Sequence, residues 1–378
     1  MGAYIVYPKP NLSMKLSGLL FLIYFFLFNI SFSQQQEPVR LAVVGLTHSH
    51  VNWILSRQDK GDVQLVGIVE PNRDLAERLM KRNNISMDLL YPSMEEMFAT
   101  VIPDGVTAFG SIYEHLEVVQ ACAPRGIHVM VEKPLAVSTA HAQEMKELAD
   151  KHNIHLITNY ETTWYASNQE VYRQVHTDGS IGDVRRVIVN DGHEGPKEIG
   201  VNQEFLVWLT DPVQNGGGAV IDFGCYGANL MTWLMKGERP VSVTAELKQI
   251  KPDVYPQVDD DATILLQYKS SIGVIQASWN WPFSRKDMEV YGQTGYLIAK
   301  NSTDIVSRFE GQRKEETSVL KKRAYPYDDP FSFFAGVIQG RVELDPFDLS
   351  SLENNMMVVE ILEAAIESAK SGHRVNLK

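Results

Sequence analysis

The sequence predicts two joined halves: a doubly wound parallel α/β sheet, then an α+β half built on a large, mainly antiparallel sheet. Three observations carry that expectation. Between Arg40 and Thr158, short apolar strands alternate with helical segments, the pattern of repeated βαβ units. Beyond Val184 the strands are longer, alternate apolar with polar residues, and follow one another across turn residues, which fits antiparallel neighbours. The strand Ile127-His-Val-Met-Val-Glu-Lys-Pro134 ends in a charged pair, and its proline removes a ladder donor. Length and composition agree. A chain of 378 residues has room for about two domains, and 44% hydrophobic with 22% charged residues is an ordinary globular balance.

Charge and cysteine content exclude several function classes. The net charge of -12 argues against nucleic acid and anionic membrane surfaces as partners. Cys122 and Cys225 are too few for a disulfide framework or a cysteine-based zinc site. The N-terminus reads as a secretory signal peptide over residues 1–33. Lys9 and Lys15 flank an apolar run from Leu16 to Ile30, and Ser31-Phe-Ser33 offers small residues at cleavage-site spacing. Met14 is a candidate start. The run is shorter than the roughly 20 residues a spanning helix needs, so the expectation is a periplasmic or secreted protein without stable membrane insertion, membrane-anchored only if uncleaved.

Arg40-Leu-Ala-Val-Val-Gly45 reads as a strand ending in glycine, and His50-Val-Asn-Trp-Ile-Leu55 as the start of a helix. Strand, tight turn and helix make the opening of a Rossmann-type dinucleotide-binding unit. The usual fingerprint is G-x-G-x-x-G. Here the turn Gly45-Leu-Thr-His-Ser-His50 keeps only the first glycine, with Thr47 and His50 in place of the others. A pyrophosphate is expected at the helix N-terminus, with Thr47, His48 or Ser49 adding side-chain donors. His48-x-His50 also suits a metal-dependent hydrolase, since imidazoles two apart share a metal in an extended segment. No second ligand-spaced cluster accompanies it, so no metal is expected.

Asp62 to Glu70 reads as a second strand ending in an acid, 25 residues after Gly45 against about 20 for a ribose-binding acid. Glu70 there favours NAD over NADP, although Arg73 nearby could accommodate a 2′-phosphate. Gly105 to Gly110 reads as a strand, the segment from His115 as a helix, Ser138 to His152 as an amphipathic helix and Ile154 to Thr158 as a strand. The expected division is 38–158 for the dinucleotide-binding domain and 159–378 for a substrate and oligomerisation domain.

In the second half, strands are expected at Val184–Val189, Val241–Gln249, Ala262–Tyr268 and Ile272–Trp279, with Arg308 to Arg323 a solvated hairpin or loop. Gly216-Gly-Gly-Ala-Val-Ile-Asp-Phe-Gly-Cys-Tyr226 turns tightly into a helix. Asp222 and Tyr226 are four apart, hence on one face if that segment is helical. Trp164, Tyr165, His193, Trp279 and Trp281 are candidates for an aromatic wall against a sugar, with Trp164 and His193 named as substrate contacts.

The run Pro124-Arg-Gly-Ile-His-Val-Met-Val-Glu-Lys-Pro-Leu-Ala-Val137 closely resembles the Glu-Lys-Pro signature of the Gfo/Idh/MocA oxidoreductases. The triple-glycine segment resembles that family's Gly-Gly-Gly-apolar-x-Asp-x-Gly-x-His pattern, with Tyr226 in the place of the histidine. Asp178-Gly-Ser-Ile-Gly182 and Ala364 to Val375 resemble its entry into the sheet domain and its closing helix. The resemblance implies NAD, with NADP less favoured, held by Gly45, Thr47, His48, His50, Glu70, Ser111, Glu132 and Lys133. It implies oxidation or reduction of a secondary hydroxyl on a sugar or glycoside, Tyr226 moving the hydroxyl proton while Lys133 and Asp222 position the oxygen. A lysine cation near Tyr226 is expected to lower its pKa from about 10. The resemblance further implies an open-faced sheet that pairs into a homodimer or homotetramer, and a C-terminal helix near 350–370 packing back on the first domain. An exported enzyme meets little free NAD, so a tightly bound cofactor is expected, and a redox-neutral NAD-dependent glycosidase is an alternative. Two other classes stand beside these: a metal-dependent hydrolase at His48 and His50, and a non-catalytic carbohydrate-binding relative.

Overall fold

The computed structural model describes residues 1–7 and 37–377. The chain forms two compact units, Met1–Glu37 and Pro38–Lys378. Residues 1–7 are exposed and without regular structure. The expected signal peptide falls almost wholly outside the described residues. Among the described residues no helix is long and apolar enough to cross a membrane.

The first sheet carries β1 (Val39–Val44), β2 (Val63–Val69), β3 (Leu90–Tyr91), β4 (Gly105–Ala108), β5 (His128–Glu132) and β6 (Leu156–Asn159). All its pairings are parallel, and the order is β3-β2-β1-β4-β5-β6. Strand order reverses between β1 and β4, and ligands of such sheets bind outside the carboxyl ends at that switch point. The intervening helices are α1 (Val51–Leu55), α2 (Arg73–Arg82), α3 (Met94–Phe98), α4 (His115–Cys122) and α5 (Thr139–His152). Local signals set their starts: Asn72, Ser93 and Ser138 each accept an amide hydrogen of the first turn.

The second half opens with α6 (Ala166–His176), β7 (Val184–Gly192), α7 (Gln203–Leu209), α8 (Ala219–Asp222) and α9 (Gly224–Leu234). Then follow β8 (Ser242–Lys248), β9 (Asp261–Gln267), β10 (Ile272–Ser278), β11 (Arg285–Gly292), β12 (Gly295–Ala299), β13 (Asp304–Phe309) and β14 (Glu316–Val319). The chain closes with α10 (Pro330–Ile338), α11 (Leu352–Ser371) and β15 (Val375–Asn376). The nine-stranded sheet has the order β14-β13-β12-β11-β7-β10-β9-β8-β15. It is antiparallel except where β10 pairs β7 in parallel, in keeping with the expected mainly antiparallel sheet. The expected solvated hairpin or loop from Arg308 to Arg323 is a hairpin, in which the exposed edge strand β14 pairs antiparallel with β13.

Two helices tie the halves together. On one face of the first sheet, Phe331, Phe333, Phe334 and Val337 of α10 join the apolar core formed with Leu41, Ile54 and Leu75. On the second sheet, Val358, Ile361 and Leu362 of α11 pack into the main core, while Val359 enters the cluster around Val129 and Met145. Helix α11 therefore contributes side chains to the cores of both halves. Helix α10 had no counterpart in the sequence reading.

Candidate active site

The carboxyl end of β5 delivers Glu132 and Lys133 to the seam between the two sheets, where both are buried. The triple glycine delivers their partners. Gly216 has φ +88, a region open to glycine, and a Cβ on Gly218 would lie 1.7 Å from the carbonyl oxygen of Asp259. That close approach lets Asp259 hold the entry to α8. Its carboxylate accepts the amides of Gly218 (2.8 Å) and Val220 (2.7 Å), and its carbonyl accepts that of Ala219 (3.0 Å). Helix α8 ends at Asp222, and Tyr226 sits in the first turns of α9. The two are thus not on one continuous helix, yet both face one cavity of about 950 Å³ with Lys133.

Lys133 Nζ donates to Asp222 Oδ1 at 2.5 Å and to the Asp222 carbonyl at 2.9 Å. Trp279 Nε1 donates to the other carboxylate oxygen at 3.0 Å. Burial opposes both charges, but their mutual attraction outweighs it: the Lys133 ammonium is held above its usual range and the Asp222 carboxyl below its own. The pair is therefore fully ionised at neutral pH.

The phenol of Tyr226 behaves differently from the expectation. Burial, then the carboxylates of Glu161 and Asp191, push it well above its usual range. Lys133 lies 5.2 Å from the ring centroid, but its charge is matched by Asp222. The expected lowering of Tyr226 is thus reversed, and the phenol keeps its proton.

Lys286, Glu161 and Asp191 also line this cavity and were missed by the sequence reading. Lys286 Nζ sits 4.1 Å from the Tyr226 ring centroid, 2.8 Å from Glu161 Oε2 and 3.8 Å from Asp191 Oδ2. A signal existed. In β11, Lys286 has the parity of core residues Met288 and Val290, and in β7 Asp191 has that of Val187 and Val189. Charged residues on the apolar face of a strand are the ones to question.

His193 lines the cavity, its ring edge-on to Phe223 with centroids 4.8 Å apart. The Gly195 amide donates to His193 Nδ1 at 2.9 Å, and burial lowers the pKa, so the ring is neutral with its proton assigned to Nε2. The expected aromatic wall is corrected in two places. Trp164 lines a neighbouring hollow instead, donating to Asn159 Oδ1 at 3.1 Å and packing on Phe333. Trp279 is wholly buried and orients Asp222. Tyr165 does face the cavity and donates to Glu161 Oε1 at 2.7 Å. Trp281 lies beside the Arg285 guanidinium, 5.9 Å from ring centroid to carbon.

The turn after β1 runs from this cavity to a second hollow of about 360 Å³, lined by Gly45, Thr47, Glu70, Gly110, Glu114 and Glu117 among others. Gly45 has φ +78, and a Cβ there would stand 2.6 Å from the Gly110 amide nitrogen. Glu70 directly follows β2 there and accepts the amides of Leu46 (2.9 Å) and Asn72 (2.8 Å). Ser111 is tied down, its hydroxyl donating to Gln214 at 2.8 Å. Thr47 donates to the Phe109 carbonyl at 3.3 Å and accepts the Trp208 indole at 2.9 Å. His48 is buried against Phe205 with ring centroids 4.6 Å apart, and its Nδ1 accepts the His50 amide at 3.1 Å. The Thr47 hydroxyl is thus engaged rather than a free donor as expected, whereas His48, with Nδ1 accepting, carries its proton on Nε2; His48 and Ser49 line the larger cavity.

These residues fit a dinucleotide at both ends. The buried acid and two neighbouring glutamates offer acceptors to a ribose diol, and the ionised lysine lies in the larger cavity. Between them, Asn202 at the start of α7 donates to the Thr47 carbonyl at 3.3 Å, so α7 lies across the turn.

His48, His50 and Glu132 come within 4.8 Å of one another, a spacing that could hold a metal. Their hydrogen bonds compete with that role. Glu132 takes His50 Nδ1 at 3.0 Å and Asn159 Nδ2 at 2.7 Å, while His48 Nδ1 is engaged as above. Burial raises Glu132, but the His50 and His48 rings and the Asn159 amide together outweigh it and hold the carboxylate below its usual range.

Comparison with known proteins agrees with this arrangement. Residues 39–160 match the model of an oxidoreductase family with an NAD-binding Rossmann fold, and residues 170–298 match the GFO/IDH/MocA C-terminal domain. Trans-1,2-dihydrobenzene-1,2-diol dehydrogenase of Xenopus tropicalis is 30% identical over 219 residues, which are 57% of this chain and 61% of that protein. The human enzyme of that name is 25% identical over 230 residues, 61% of this chain and 64% of it. The match thus spans under two thirds of these relatives' length. Among solved structures, an inositol dehydrogenase homolog from Azotobacter vinelandii complexed with NAD+ gives a TM-score of 0.78 at 17% identity, over 90% of this chain and 98% of that one. An aldose-aldose oxidoreductase from Caulobacter crescentus gives 0.75 at 20%, over 90% and 100%. The chain belongs to the Gfo/Idh/MocA family of oxidoreductases.

Proposed function

We propose that this protein is an exported nicotinamide-dependent oxidoreductase acting on a secondary hydroxyl of a sugar, glycoside or similar diol. The observation that carries the reading is the convergence of Lys133, Asp222 and Tyr226 on one cavity beside the turn after β1. The diol dehydrogenase relatives support the substrate class. NAD, when bound, supplies the acceptor for the hydride of a carbinol C–H. Gly45, the turn to His50 and Glu70 would hold it.

Within the chain the roles divide as follows. Lys133 presents a cation to the reacting oxygen, favouring its anionic or carbonyl form. Asp222, anchored by Trp279, fixes the direction of that ammonium. Tyr226 rests protonated and gives its proton to a carbonyl oxygen, or accepts one from a hydroxyl once it is itself deprotonated. His193 and Tyr165 offer contacts for the rest of the ring. Helix α7 lying on Thr47 supports a cofactor retained between turnovers, hence either reoxidation in place or a redox-neutral cycle. Export rests on the apolar N-terminal run, and pairing through the open sheet face rests on the family resemblance.

The test is a single-turnover measurement. Purified protein loaded with NAD is mixed with a panel of hexoses and glycosides while nicotinamide absorbance is followed. Reduction by at least one member, abolished in Lys133→Ala, is expected. No change with any member in either redox direction would overturn the proposal.

A further inference from the structure

Asp191 is 1% exposed, lines the large cavity, and among the described residues neither of its carboxylate oxygens has a hydrogen-bond partner. Burying a carboxyl without a donor or acceptor is costly, so such groups mark a site completed by something else. Its cross-strand neighbour is Lys286, directly opposite on β11 and 3.8 Å away. Lys286 in turn lies over the Tyr226 ring. The cavity therefore holds two separate oxygen-binding pairs around one phenol: Lys133 with Asp222, and Lys286 with Asp191.

We propose that Asp191 and Lys286 form a second subsite, which binds the hydroxyl on the carbon next to the reacting one and so restricts turnover to vicinal diols. This rests on the carbinol-oxidising reading of the Lys133 site. Asp191 is a specificity-determining residue in it. Burial, with Glu161 and Asp222 nearby, outweighs the pull of Lys286 and Lys133 and holds the Asp191 carboxyl well above the usual carboxylate range. That shift favours the protonated form, which can both donate to and accept from a hydroxyl. A substrate lacking that hydroxyl leaves the carboxyl buried and unpaired, the situation in which a polar site discriminates most strongly. Glu161, bonded to Lys286 and Tyr165, fixes the ammonium beside it.

The experiment compares NAD-loaded wild type, Asp191→Asn and Asp191→Ala on methyl hexopyranosides and their mono-deoxy analogues. Rates are read by nicotinamide absorbance and binding by calorimetry. Wild type should lose roughly a hundredfold or more in kcat/KM, and bind more weakly, when the hydroxyl adjacent to the oxidised carbon is absent. Asp191→Ala should lose that discrimination, treating both probes alike at the lower value. Asp191→Asn keeps a donor and an acceptor and should restore part of it. Discrimination unchanged in Asp191→Ala, or a loss equal for both probes, overturns the subsite. Turnover of no probe with binding still discriminated by Asp191 would instead count against the redox reading while upholding the subsite; binding of no diol probe overturns it.

Discussion

Lys133 Nζ lies 2.5 Å from Asp222 Oδ1 and 2.9 Å from the Asp222 carbonyl oxygen, although the two residues are 89 positions apart. The contact joins the end of β5 to the end of α8, and so joins the two halves of the protein at the cavity. It also fixes both charge states. Each group is buried, and each is ionised because the other is there.

Removing one partner should therefore cost stability as well as turnover. Lys133→Ala leaves Asp222 buried and uncompensated, with an expected loss of about 3 kcal/mol in urea unfolding. The double variant Lys133→Met/Asp222→Asn should recover most of that stability and none of the activity. Equal losses in single and double variants would show that the pair carries no such coupling.

The resting proton on Tyr226 sets a direction for the pH profile. Burial, with Glu161 and Asp191, raises its pKa. The protonated form is thus kept further into alkaline pH than for a free phenol. Carbinol oxidation should accelerate from neutral to about pH 10 without a plateau, while carbonyl reduction stays level over the same range. Tyr226→Phe should lower both rates by about a hundredfold or more. A level oxidation profile in the wild type would remove Tyr226 from the proton path.

Helix α7 predicts slow cofactor exchange. Trp208→Phe deletes the indole donor to Thr47 and keeps an aromatic ring against His48. Losing one hydrogen bond at the gate should speed exchange of bound for labelled NAD about tenfold. Unchanged exchange would mean that α7 does not gate the turn.

Asp329 caps α10, and it binds Lys60 and Arg57. Burial raises its pKa, but Lys60, the Ser332 amide and Arg57 outweigh that and hold it at about 2, below the usual 3.8. The folded value is depressed, so the stability it brings is present above pH 3.8 and lost as pH falls through about 2. Asp329→Asn, which keeps the cap, should cost about 2 kcal/mol at neutral pH and almost nothing near the acid end. A gap independent of pH would contradict the charge argument.

Much of this was legible along the chain. Strand ends such as Glu132–Lys133 and Glu70 are local features, set by apolar runs and the residues that stop them. The register of β7 and β11, which places Asp191 opposite Lys286, depends on pairing between segments about a hundred residues apart. Their inward parity was visible, but their meeting was not. Helix α7 is short, and nothing in its own pattern points to Thr47; only the fold brings them together. Trp164 and Trp279 show the converse: aromatic identity suggested a sugar wall, whereas one lies half-buried against Phe333 beside a neighbouring hollow and the other, fully buried, orients Asp222.

The most direct measurement is mass spectrometry of the small molecules released when the purified protein is denatured. The account predicts NAD or NADH, near one per chain and without a 2′-phosphate. Protein that releases no nucleotide, and that takes up none when NAD is added back before denaturation, would contradict it.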